Sequence, residues 1–189
     1  MRYSAEHSEE TRRRMMEAAG RAFREQGYGG IGVDGLAKAA GVTSGAFYRH
    51  FPSKAEAFRA VVVAGLDRLR QGVELFRRRG DDWFGAFARY YLGPEHRRDV
   101  PGGCALPSLS AEVGRAGPAA RQGYQMELER VAAALADGLP GAPAREAAWP
   151  LLAQLVGAVV LARAVEDEAL AAEIAQAVLA VLDPPITPE

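Results

Sequence analysis

The sequence predicts an all-α protein. Alanine, leucine, arginine and glutamate dominate its 189 residues, and apolar side chains recur at i, i+3, i+4 and i+7 in one segment after another. Alternation of period two, the mark of a half-buried strand, is nearly absent. The length allows one or two small domains with a sizeable core. Net charge is −1 but unevenly divided: residues 1–54 hold 9 Lys+Arg against 6 Asp+Glu (+3), and residues 55–189 hold 14 against 18 (−4). A basic leading segment on a mildly acidic body suits a nucleic-acid partner.

Residues 1–7 read as a loose arm, and a first helix starts near Ser8 or Thr11. Its stripe is Met15, Ala18, Ala19, Ala22 and Phe23, and Gly27 ends it. A second helix carries Val33, Leu36, Ala37 and Ala40, and Gly41 stops it by entering the left-handed region. Thr43 or Ser44 caps a third helix, about 44–51, which Pro52 terminates. Two short helices across a glycine turn form a helix-turn-helix, whose second helix enters the major groove of DNA. Ala46, Phe47 and Phe51 can pack inward. That leaves Thr43, Ser44, Tyr48, Arg49 and His50 outward, with Gly45 permitting close backbone approach and Lys54 just beyond for a phosphate.

Ser53, with Glu56 three positions on, reads as the capping box of a long fourth helix whose stripe runs from Phe58 to Phe76. Its start packs on the leading segment and its end enters the rest of the chain. Asp81 or Asp82 caps a fifth helix with Trp83, Phe84, Phe87, Tyr90 and Tyr91. Five aromatics in nine residues cannot share one face, so they fill a core or line a cavity. Residues 93–103 read as a loop in which His96 and Asp99 are solvated. A short sixth helix follows, from Cys104 to about Arg115. Pro118 opens a seventh, reaching about Asp137 with Tyr124 and Leu128 on its apolar side. Gly141-Ala142-Pro143 is a turn.

Two last helices, about 143–165 and 166–182, carry more apolar surface than one side of a small bundle hides. A self-complementary pair would dimerise through four helices, with Leu152, Leu155, Val156, Val159, Ala162, Ile174 and Val178 as candidate contacts. The tail, residues 183–189, reads as disordered. The organisation expected is therefore a helix-turn-helix domain at 1–53, a helical domain at 54–183 for ligand binding and dimerisation, and a tail at 184–189, with about nine helices in all.

The segment GVTSGAFYRHFPSKAEAF, residues 41–58, closely resembles the signature of TetR-type transcriptional regulators, and the order of elements over about residues 8–58 agrees. GGCALPSLSAEV, 102–113, looks like the start of the sixth helix in one broad branch of that family. One departure stands out: Ile31-Gly32 occupies the place where members usually carry Thr or Ser ahead of the second helix. The resemblance implies a ligand-responsive repressor that binds a palindromic operator in double-stranded DNA as a homodimer and is released by a small apolar or aromatic effector. It moves Arg13 and Lys38 from a solvated basic face towards phosphate contact. It also makes Trp83, Phe87, Tyr90, Tyr91, Leu109, Tyr124 and Leu128 the candidate pocket lining.

Other classes fare less well. No GxSxG, HExxH or GxxxxGK[ST] is present, and His7, His50 and His96 are scattered, so a hydrolase has no site and no metal or cofactor is expected. A helical scaffold for protein partners is the remaining alternative. The single cysteine, Cys104, excludes an intrachain disulfide and reads as a small core residue, since no cation cluster or second thiol adjoins it in sequence. The leading residues lack an apolar signal core. The longest apolar run, Ala147–Val165, is broken by Pro150, Gln154 and Arg163, so a buried helix in a cytoplasmic protein is expected rather than a membrane span.

Overall fold

The structure, a computed structural model, describes residues 2–80, 82–139 and 145–183, with side chains from residue 6 onward. Ten α-helices follow in order among them: α1 (Arg2–Gly30), α2 (Val33–Ala39), α3 (Ser44–His50), α4 (Lys54–Arg77), α5 (Trp83–Leu92), α6 (Pro94–Arg98), α7 (Ala105–Val113), α8 (Pro118–Ala136), α9 (Ala148–Ala164) and α10 (Glu168–Leu182). A 3-10 turn, Arg145–Ala147, leads into α9. No strand occurs among the described residues.

The helix ends follow from their residues. Gly27, at φ 74°, breaks α1 where the sequence places its end. Gly41, at φ 67°, makes the left-handed turn between α2 and α3, a conformation that costs a side-chain-bearing residue more. Thr43 Oγ1 accepts from the Ala46 N–H at 3.2 Å, which decides the cap of α3 in favour of Thr43. Ser53 caps α4 by accepting from Glu56 N–H, while the Glu56 carboxylate turns to Arg59 instead of closing a capping box. Asp167 caps α10. Pro150 falls in the first turn of α9, where a missing N–H is tolerated.

Some expectations need correction. Residues 2–7, expected to be a loose arm, are the first turns of α1. The 93–103 segment, expected to be a loop, contains the short helix α6, which Pro94 opens and Arg163 stabilises from α9. The last long helix pair starts later than expected, at Ala148 and Glu168. A cap by Asp81, the turn at 141–143 and the tail beyond Asp183 lie outside the described residues.

One contiguous core runs through the molecule. At the leading end Phe23 meets Phe58 edge-on at 5.1 Å, and Phe47 lies 5.3 Å from Phe51. Helix α4 is the spine. Phe58, Val61 and Val62 pack against α1, and Val73 and Phe76 belong to the body formed by α5 and α8. Segment 145–164 is long and apolar enough to cross a membrane. Its inward side is instead core, through Leu152, Leu155, Ala158 and Val159.

Candidate nucleic-acid interface and ligand cavity

Helices α2 and α3 turn their apolar sides inward and leave a polar ridge outside. Phe47 is fully buried. Thr43, Gly45, Tyr48 and Arg49 are exposed, Lys38 projects from α2, and Ser44 and His50 are half-buried. Tyr48, at 50% exposure, is a large aromatic left in solvent at the centre of this ridge. The Ser44 hydroxyl donates to Asp34 at 2.5 Å, which ties α3 to α2 and sets one carboxylate at the edge of the ridge. A shallow trough between α2 and α3 is floored by Ala37, Val42 and Ala46 and edged by Lys38, Thr43 and Ser44.

Two expected phosphate ligands have protein partners. Arg13 lies between Glu10 and Glu17 at 2.7 and 3.1 Å, exposed pairs that cost little to give up. Lys54 donates to the carbonyls of Tyr28 and Ile31 at 2.8 and 3.3 Å and rests on the Tyr28 ring, so it closes the end of α1. An ammonium has three donors, which leaves one for a phosphate. Arg12 was missed: it donates to the His50 carbonyl at 2.6 Å and lies over the Phe51 ring, anchoring α3 to α1. A run of three arginines gives no sequence signal for which one turns inward.

The head and body are latched at two points. The Tyr28 N–H donates to Glu112 of α7 at 3.0 Å, and Arg24 Nε donates to the Pro101 carbonyl at 2.6 Å. Beside the second latch, a cavity of about 470 Å³ lies between α4, α5 and the 95–104 segment, a size that suits a small molecule. Of the candidate pocket residues, Phe87, Tyr90 and Tyr91 line it, joined by Leu69, Phe76 and Cys104. Trp83, Leu109, Tyr124 and Leu128 do not. The Trp83 indole donates to the Gly138 carbonyl at 2.8 Å, Leu109 is buried in the core, Tyr124 shares a hydrogen bond with Ser110, and Leu128 packs against the same core. All four sit at helical spacings compatible with either role, and packing took them.

The wall of the cavity holds groups the sequence reading set aside. Tyr91 is buried and its hydroxyl has no hydrogen-bond partner. Burial, with the Cys104 thiol alongside, pushes its pKa well above the ordinary phenol value. Burial also raises the Cys104 thiol, which keeps it protonated. His96, read as solvated, donates from Nδ1 to the Tyr91 carbonyl at 2.7 Å, and burial lowers its pKa. Arg163 interrupts the apolar run of α9 for a reason: it binds the carbonyls of His96 and Arg97 and the Ser108 hydroxyl, fixing the wall formed by α6 and its connection to α7. His, Cys, Asp and Glu form no metal-binding group among the described residues.

The candidate dimer face also needs correction. Leu152, Leu155, Val159 and Ala162 are buried inside the protomer, which leaves little of them for contact with a second copy. Val156, Ile174 and Val178 are half-buried. With Val160, Leu161, Leu170 and Val181, all exposed, they make an apolar strip along the outer side of α9 and α10. Alanine- and valine-rich helices carry little contrast between faces, so the sequence did not show which side turned in.

Residues 15–61 match the family described as bacterial regulatory proteins, tetR family. The HTH-type transcriptional regulator SrpR of Pseudomonas putida is 43% identical over 63 residues, 33% of this chain and 30% of that protein. The chain thus matches under a third of the length of SrpR. Over the whole fold, the reduced form of E. coli NemR superimposes with a TM-score of 0.79 at 22% identity, covering 92% of this chain and 95% of that one. FadR from Bacillus subtilis in complex with stearoyl-CoA does so with a TM-score of 0.70 at 16% identity, covering 92% and 98%. At such identities the likeness is one of fold.

Proposed function

We propose that this member of the tetR family of bacterial regulatory proteins is a cytoplasmic transcriptional regulator, not an enzyme, and that it represses by binding a palindromic operator as a homodimer until a small effector enters the body. Its parts are a DNA-binding domain at 1–53, a ligand-binding and dimerising domain at 54–183, and the tail. The observation that carries this reading is the polar ridge of α3, with Tyr48 exposed at its centre over a core that holds Phe47 fully buried. Thr43, Ser44, Gly45, Tyr48, Arg49 and His50 meet the major groove, while Lys38, Lys54 and Arg13 take phosphates. One seven-residue helix covers too little DNA for tight specific binding. A pair reading half-sites roughly 34–36 Å apart solves that, and the outer strip of α9 and α10 is the surface that supports pairing.

Release follows from the shared spine. The effector lies against Phe76 of α4, and α4 also carries the head through Phe58 and Val61. A ligand that prefers one setting of α4 changes the spacing of the two heads by as much as its affinities for the settings differ. The stearoyl-CoA held by the FadR neighbour supports a small-molecule ligand within a protein of this fold.

The test is fluorescence anisotropy with duplex DNA from the intergenic region beside the gene, over a salt series. Affinity should fall steeply with salt, because releasing condensed counterions from the phosphates gains less as the salt concentration rises. Tyr48→Ala should weaken binding by about 1–3 kcal/mol with an unchanged melting temperature. Salt-insensitive binding, or full affinity in the variant, would sink the reading.

A further inference from the structure

We infer that the effector is an organic anion, whose carboxylate or equivalent head sits between Arg24 of α1 and Arg68 of α4 while an apolar body lies against Phe76, Phe87 and Tyr90. This rests on the cavity being the effector site. That cavity adjoins a second cleft of about 410 Å³ between α1 and α4, and Arg24, Gly65, Arg68 and Gly102 line both. The two guanidinium groups therefore stand at the junction.

The charges there are unequally matched. Neither Arg24 nor Arg68, nor Arg21 in the adjoining cleft, makes an ion pair among the described residues. Arg24 spends only Nε, on the Pro101 carbonyl. The nearby acids are already engaged or lie in solvent. Glu17 is paired with Arg13, Asp99 accepts the Gly102 N–H at 2.8 Å, and Glu95 is exposed. Burial and the repulsion of Arg68 lower the pKa of Arg24 despite the pull of Asp99, so its positive charge is under-compensated. A carboxylate between two guanidinium forks gains charge-assisted, bidentate hydrogen bonds and relieves that repulsion. The Tyr91 hydroxyl is a second and independent sign of a ligand. Tyr91 is 2% exposed and lies in the wall of the same cavity, and its hydroxyl has only the weakly hydrogen-bonding Cys104 thiol alongside. An oxygen on the ligand would satisfy it. Because Arg24 stands on α1, an anion here would bridge the head directly to α4.

Calorimetry on the full-length protein tests this with 4-phenylbutyrate, decanoate and the primary amide of each, which match the acids in shape and lack the charge. We expect each acid to bind at least about tenfold more tightly than its amide, a difference of about 1.4 kcal/mol. That preference should fall to about twofold or less in Arg68→Met and largely survive in Arg68→Lys. Arg68 is exposed, so both variants should melt as the parent does. Equal binding of acid and amide, or a preference untouched in Arg68→Met, overturns the anion while leaving the cavity as the effector site. Failure of every acid and every amide to bind overturns both.

Discussion

Head and body treat large apolar side chains in opposite ways. Around α1–α3, Met15, Phe23, Phe47, Phe51 and Phe58 are all but fully buried, and Tyr48 is the one large apolar side chain left exposed among the described residues of the head. In the body, Leu75, Tyr90, Met126, Val160, Leu161, Leu170 and Val181 are all exposed. A small core with a few bulky aromatics is closely specified, and its outer side is polar enough to meet a charged, hydrated partner. The body packs alanine and valine with little contrast between the sides of α9 and α10, and leaves an apolar strip of those helices uncovered. Such a surface fits a second copy or a ligand better than water.

The largest expected effect tests whether the two regions really differ. Phe47 is fully buried against Phe51, and Phe47→Ala should cost about 3–5 kcal/mol. Hydrogen exchange should show α2 and α3 losing protection while α8 keeps its own. Loss of protection in α8 at the same denaturant concentration would make the molecule one cooperative unit and remove the contrast.

Next in size is the outer strip. Leu161 is 59% exposed in the protomer, so Leu161→Glu should leave its melting intact. Placed in a dimer interface, the same carboxylate loses water without gaining a partner. Sedimentation should show a monomer, and operator affinity should drop by at least about tenfold, or 1.4 kcal/mol. A variant that stays dimeric would take α9 and α10 out of the pairing surface.

How far the sequence could be read follows the same division. Thr43, Gly41, Phe47 and Tyr48 were assigned their structural places correctly because caps, left-handed turns and short helices obey local rules. The body offered no such rule. Trp83 and Tyr124 were read as cavity lining although each satisfies its polar atom within the core. Leu155 and Val159 were read as dimer contacts, yet a helix whose faces are nearly equally apolar does not reveal which side turns inward. Long-range partners were also invisible: nothing near Arg163 in sequence points to carbonyls 66 residues earlier. A gentler probe of the local rules is Thr43→Ala, which removes the bond to the Ala46 N–H. It should destabilise the head by about 1 kcal/mol in a thermal melt, and no change would show that the turn itself holds α3.

The smallest effect belongs to the body and is read by pH. Burial, the largest cause, lowers the His96 pKa, with the nearby Arg163 charge acting the same way, while the bond to the Tyr91 carbonyl and Asp99 pull upward. The unfolded chain, with an ordinary imidazole near pH 6.5, binds this proton more readily than the folded one. Stability from this group is therefore complete above that value and is lost as pH falls through it, levelling off below the lowered folded pKa. The melting temperature should fall more between pH 7.5 and 5.5 in the parent than in His96→Gln, and the difference should come from α5 and α6 rather than from α3. Parallel pH profiles would mean that the neutral imidazole is not what the cavity wall requires, and would leave its ring packing, 4.4 Å from Tyr91, as the reason His96 is there.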